Sequence, residues 1–168
     1  MATAMAVFFY LLAGPVIAEE ARYYKIEAAF LYNFFNYITW PGYTSPEALT
    51  QPTVCLDGND PVAPYLGYIQ QKMAGKRGLL IRKLHEGEAM TGCHMFFLRR
   101  NITPAMTQEA FRTHTLIVSE LDDPLDRGGV IALAKEDERI LMDINQSLLT
   151  ENGFQISSRL LDLAQKVR

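Results

Sequence analysis

The chain is 168 residues long, with a formal net charge of −3, 49% hydrophobic and 21% charged residues. That balance is the one globular domains have, and it excludes collagen-like and low-complexity classes. Lysine and arginine are scattered, so there is no basic stripe of the kind nucleic-acid binding requires, and no nucleic-acid partner is expected.

Met1 to Ala18 is apolar and uncharged and meets Glu19-Glu20, with Val16 and Ala18 as the small residues a signal peptidase accepts. A membrane anchor needs roughly 20 apolar residues, and Gly14-Pro15 interrupts this stretch. The expectation is a cleaved signal peptide at 1–18 and one α/β domain at 19–168 that works outside the cytoplasm. One usual feature is missing, since the first positive charge is Arg22, beyond the cut. The first cysteine is Cys55, so none follows the cut to carry a lipid.

Tyr23, Ile26, Ala29, Phe30, Phe34 and Tyr37 then fall at helical spacing and predict an amphipathic helix of about twenty residues. It must end near Trp40-Pro41, because proline disfavours helical geometry in the residue before it. Strand patterns follow at Pro52 to Leu56, Leu79 to Lys83, His94 to Leu98 and Thr115 to Ser119. Helical stretches at Tyr65 to Lys72 and Pro104 to Phe111 lie between them, which argues for βαβ units. Val130 to Ala134 and Arg139 to Asp143, separated by Lys135 to Glu138, read as an antiparallel hairpin. Two helices are predicted to close the chain, Gln146 to Asn152 and Ser157 to Val167. Ser157 is the N-cap of the second, and Leu160, Leu161 and Ala164 are its buried face. The fold class is an α/β three-layer sandwich with a mostly parallel sheet, a C-terminal antiparallel hairpin and flanking helices.

Cys55 and Cys93 are an even pair in a chain expected to meet an oxidising compartment, so a disulfide is one reading and two buried free thiols the other. Closing a 38-residue loop would restrict the unfolded chain by about 3.9 kcal/mol in the chain-entropy model.

Signals for chemistry are weak. Leu56-Asp-Gly-Asn-Asp-Pro61 lacks the spacing and the lysine of a phosphate loop and reads as a strand-to-helix turn. Gly128-Gly129 after Asp122, Asp123 and Asp126 does not match a calcium loop. His85, His94 and His114 are too dispersed for a local metal motif. The cysteines do not form C-x-x-C, no serine sits in a nucleophile elbow, and Ser157-Ser158 is explained by capping. No catalytic residue, metal ligand or cofactor is assigned. The first helix carries more aromatic residues than one buried stripe needs, and Tyr24, Tyr32, Phe35 and Trp40 are the candidates for a partner or homodimer surface.

Taken in order, Lys25-Ile-Glu-Ala-Ala-Phe-Leu-Tyr-Asn-Phe34 leading to Trp40-Pro41, Val54-Cys55-Leu-Asp-Gly58, Cys93-His-Met-Phe-Phe97, Gly128-Gly129-Val-Ile131, Ile144-Asn145 and Ile156-Ser-Ser-Arg-Leu-Leu-Asp-Leu-Ala164 resemble the YfiR family of periplasmic proteins. The resemblance implies an α/β domain, often dimeric, that is not an enzyme. It would restrain a membrane-bound diguanylate cyclase through the cyclase's periplasmic region, with effects on cyclic-di-GMP and biofilm behaviour. The chain departs from members that carry a second cysteine pair in the C-terminal half, because nothing after Cys93 is a cysteine. The alternative reading is a periplasmic small-ligand receptor that uses the crevice at the carboxyl ends of the parallel strands.

Overall fold

A computed structural model describes residues 14–75, 77–120, 125, 128–137 and 139–168. The first helix, α1, spans Gly14–Tyr37. Most of the expected leader therefore lies outside the described residues, and the helix is continuous through the expected cut after Ala18. No described helix is long and apolar enough to cross a membrane. The last carbonyls of a helix have no partner within it. Here they find tertiary ones: the Phe35 carbonyl accepts from the Arg77 guanidinium at 2.7 Å and the Tyr37 carbonyl from the Ser157 amide at 2.9 Å. Arg77 also donates to the carbonyls of Leu49 and Pro46, pinning the end of α1 to the 3-10 turn at Pro46–Ala48.

The remaining elements are β1 (Ile38–Thr39), β2 (Thr53–Asp57), α2 (Ala63–Met73), β3 (Leu80–Leu84), β4 (Met95–Leu98), α3 (Pro104–Thr113), β5 (Leu116–Ser119), β6 (Ile131–Glu136), β7 (Arg139–Ile144), α4 (Gln146–Glu151), β8 (Gln155–Ile156), α5 (Ser158–Leu161) and β9 (Lys166–Val167). Seven strands form one sheet in the order β3-β2-β4-β5-β6-β7-β9, parallel throughout except for the antiparallel β6–β7 pair. β1 and β8 make a separate two-stranded antiparallel pair.

Strand side chains alternate faces. Val54, Leu56, Met95, Phe97, Leu116 and Val118 therefore join the large core under α1 and α2, while Cys55, Phe96, Leu98 and Ile117 pack beneath α3. This is the expected three-layer α/β arrangement. The hairpin is tighter than expected: its strands run to Glu136 and Arg139, and Asp137 takes the positive φ of 52° that short hairpin turns favour.

The C-terminus differs from expectation. The predicted helix Ser157 to Val167 stops at Leu161, and the chain extends as β9 beside β7. The Gln165 amide donates to Met142 O at 2.7 Å and the Arg168 amide to Ile144 O at 3.0 Å. The outer edge of β7 offers unpaired backbone acceptors, and filling them outweighs fewer than two further turns of a marginal helix. Ser157 still caps α5, accepting from the Arg159 amide, and Leu160 is buried as expected. Leu161 and Ala164 are half-buried against the core.

Phe35 and Trp40, expected on a partner surface, are core residues, 0% and 2% exposed. Their rings stack at 4.8 Å, Phe154 meets Trp40 edge-on at 5.9 Å, and Trp40 Nε1 donates to the His94 carbonyl at 2.8 Å. The indole gains its area of burial with its one donor satisfied. The same His94 accepts the Thr53 amide on Nδ1. Burial, aided by the Arg77 cation, lowers the imidazole from its ordinary value and holds it neutral. A depressed folded value makes this contribution fully present above about pH 6.5 and lost as pH falls below it. Urea unfolding should thus show stability falling by up to about 1.4 kcal/mol per pH unit through that window. His94→Asn, whose Oδ1 replaces the Nδ1 acceptor without titrating, should flatten that part of the profile.

Candidate functional site

From β2 the chain turns through α2 to β3 on one side, and β4 then lies on the other side of β2. The connections reverse between β2 and β4, and in open α/β sheets the crevice at the carboxyl ends of such a pair is where ligands bind. Asp57 ends β2 and Asp60 follows it there, Arg99 and Arg100 follow β4, and Glu120 follows β5. Alternation sends the two arginines to opposite faces. Arg99 shares its face with Phe97 and α1, whereas Arg100 lies on the α3 side and pairs with Asp57 at 2.6 Å.

Arg99 is the hub. Its guanidinium pairs with Glu27 of α1, with Asp60 at 2.9 Å and with Glu120, and it lies over the rings of Phe97 and Tyr24 at 4.8 and 5.4 Å. Tyr23 donates its hydroxyl to Glu120, and Tyr24 stacks on Tyr65 of α2. Asp60 also accepts the Val62 amide at 2.9 Å, which fixes the turn into α2. The Glu27 side chain is fully buried, and its Oε1 has no hydrogen-bond partner among the described residues. Burial raises the Glu27 carboxyl above its ordinary value, against the pull of Arg99. Burial alone would lower Arg99, but Glu27 and Asp60 raise it overall. Burial and the neighbouring Glu27 push the Tyr23 phenol well up, so it acts as a donor. Three carboxylates thus converge on one guanidinium and tie α1 to the sheet edge.

The expected site residues separate. Cys55 and Cys93 are joined by a disulfide with their Cα atoms 5.7 Å apart, inside the smaller core under α3. His85 follows the carboxyl end of β3, whereas His94 and His114 precede the amino ends of β4 and β5, so the three do not meet. No group of three metal-binding side chains occurs among the described residues. Asp122, Asp123 and Asp126 lie outside them. The turn at Leu56 to Pro61 is a strand-to-helix connection, with Gly58 at φ 61° donating its amide to Leu84 O.

Of the four candidate surface aromatics, Tyr24 and Tyr32 remain partly exposed. Another, half-buried flank of α1 borders a groove, while Arg22, Lys25, Asn33 and Asn36 are the exposed residues of this part of the helix. Lys25, Ile26, Phe30 and Tyr37 line a groove of about 360 Å³ whose other wall is Leu160 and Leu163. Sequence reasoning placed Ile26, Phe30 and Tyr37 on the apolar side of the helix, at i, i+4 and i+11, but not beside a groove, because the facing wall comes from Leu160 and Leu163 far along the chain.

The YfiR/HmsC-like family model matches residues 24–165. The chain belongs to the YfiR/HmsC-like family. The match begins inside α1 and ends just before β9, so for this YfiR/HmsC-like chain it takes in the Arg99 cluster, the disulfide and the groove. No curated protein matches. Among solved structures, the ABC domain in complex with L-Trp from Streptococcus pneumonia is similar at 11% identity and a TM-score of 0.50, over 70% of this chain and 55% of that one. A conserved domain protein from Vibrio cholerae is similar at 9% identity and a TM-score of 0.48, over 86% of this chain and 60% of that one. The YfiR/HmsC-like chain thus spans little more than half of either, and the first likeness speaks to the α/β fold alone.

Proposed function

We propose that this family member is a periplasmic binding protein, not an enzyme, that restrains a membrane-bound diguanylate cyclase through the cyclase's periplasmic region and so lowers cyclic-di-GMP. The family match over residues 24–165 carries this reading. Export by cleavage after Ala18, leaving a mature domain of 19–168, belongs to the same proposal, and N-terminal sequencing of the periplasmic protein tests it. The buried disulfide and the half-buried apolar groove beside α1 are features a regulator outside the cytoplasm would use. Deleting the gene should raise cellular cyclic-di-GMP, and restoring it should reverse the rise. An unchanged level in the deletion strain would count against the reading.

A second reading, a small-ligand receptor, is favoured by a cavity of about 350 Å³ at the carboxyl ends of β3 and β4, where His85, Glu88, Met90, Phe96, Arg100 and Glu109 come together. That size suits a small molecule and the place suits the fold. A ligand-dependent rise in melting temperature, with no membrane protein recovered by crosslinking in cells, would favour it over the regulator.

A further inference from the structure

We infer that the cavity beside α3, at the carboxyl ends of β3 and β4, takes a small organic cation with an apolar body, of the arylalkyl amine class, an assignment that rests on the receptor reading above and gives it a ligand. The volume, about 350 Å³, suits one small molecule. Its floor is apolar: Leu84, Met90 and Phe96 are buried members of the smaller core, and Met106 of α3 packs half-buried against them. Because these side chains belong to the core, the floor is formed before any ligand arrives. An aromatic face attracts a cation, and thioether sulfur is polarisable and adapts to an aromatic ring.

Charge at the rim selects the ligand. Glu86, Glu88 and Glu109 line the cavity against a single guanidinium, that of Arg100, and Arg100 is already answered by Asp57 at 2.6 Å. None of the three glutamates pairs with a cation among the described residues. Two of them are fixed by the backbone: Glu88 Oε2 accepts the His85 amide at 2.7 Å, and Glu109 Oε1 accepts the Met90 amide at 2.8 Å. The second oxygen of each is left to face a ligand. The neighbouring cations do not fill that place. Arg82 donates to the Thr91 carbonyl at 2.7 Å, and Arg112, one turn beyond Glu109 on α3, is outside the lining and forms no ion pair with it. His85, exposed at the mouth, is the one other titratable group of the wall. An anionic ligand would add to the negative charge of this wall, whereas an ammonium group on an apolar body satisfies both the glutamates and the floor.

The test titrates the purified protein with three probes that share one apolar body: phenethylamine, phenethyl alcohol and hydrocinnamate. Calorimetry gives affinity and stoichiometry, and melting temperature is followed in parallel. Phenethylamine should bind once per chain and raise the melting temperature, and hydrocinnamate should do neither. The alcohol should bind about tenfold more weakly than the amine, the loss expected for giving up a hydrogen bond to a charged group. Glu109→Gln, which keeps an oxygen for the Met90 amide, should weaken the amine by a similar factor and leave the alcohol unchanged. Glu151→Gln, an exposed acid at the end of α4 and outside the cavity, should change neither. Amine binding untouched by Glu109→Gln, or weakened equally by Glu151→Gln, overturns the site as a general attraction of amines to an acidic surface. Alcohol or hydrocinnamate binding as tightly as the amine overturns the cation class and leaves the receptor reading standing. If none of the three binds, the cation class is overturned, and if crosslinking in cells then recovers a membrane protein, the receptor reading fails with it.

Discussion

Replacing Arg99 with methionine is expected to destabilise the protein by about 3–5 kcal/mol, the cost of removing one partner of a buried ion pair. The loss is large because three acids depend on that one guanidinium. Glu27 is wholly buried, Asp60 is nearly so, and Glu120 is mostly covered. With Arg99 itself only 24% exposed, solvent offers little screening. The pH dependence gives the mechanism away. Glu27 is already raised, and removing the cation raises it further. A raised folded value means the folded form binds the proton more readily, so the variant should be weakest at neutral pH and regain stability as pH falls through that value. Denaturant unfolding of Arg99→Met at pH 7.5 and pH 5 measures this. Glu27→Gln should lose less than Arg99→Met, because it keeps an acceptor for Arg99 and removes the charge that burial disfavours. In the double variant the loss should be smaller than the sum, since the two residues share one interaction. An Arg99→Met protein as stable as wild type would mean the cluster contributes nothing to holding α1 in place.

The second large effect belongs to the disulfide. Cys55→Ala with Cys93→Ala should cost about 4 kcal/mol if the bridge acts by restricting the unfolded chain around its 38-residue separation. A drop in melting temperature on the order of 10 °C follows for a domain of this size. Both sulfur-bearing residues are buried, Cys55 fully. Dithiothreitol should therefore reduce the bridge only as fast as the fold opens, which thiol titration with and without urea distinguishes. Fast reduction under native conditions would contradict the burial. With no further cysteine in the chain, no other pairing competes.

Much of the architecture was legible in the sequence because it is written locally. β-branched and apolar runs such as Thr53 to Leu56 and Leu116 to Val118 sit between helical repeats, and such alternation admits few topologies. The turn chemistry at Gly58 and the cap at Ser157 are likewise properties of a few adjacent residues. The aromatic helix was harder to read. Its periodicity identifies apolar faces, but Phe35 and Trp40 on one side and Phe30 and Tyr37 on the other look alike until something covers one of them.

What the chain by itself determined is therefore the order of the central strands and helices and the parallel character of the sheet, which follow from local propensity and the short reach of βαβ connections, while the Cys55–Cys93 pairing, open between a disulfide and free thiols in the sequence, was decided by β2 and β4 lying side by side. Only the tertiary structure decided three further things. It brought Glu27, Asp60, Arg99 and Glu120 together, because parallel strands place their carboxyl ends side by side however far apart they lie in sequence. It turned Lys166-Val167 into a strand, because an open β7 edge offered acceptors that no local signal records. It also chose which stripe of α1 faces outward, because burial is a property of what packs against a surface and not of the surface alone.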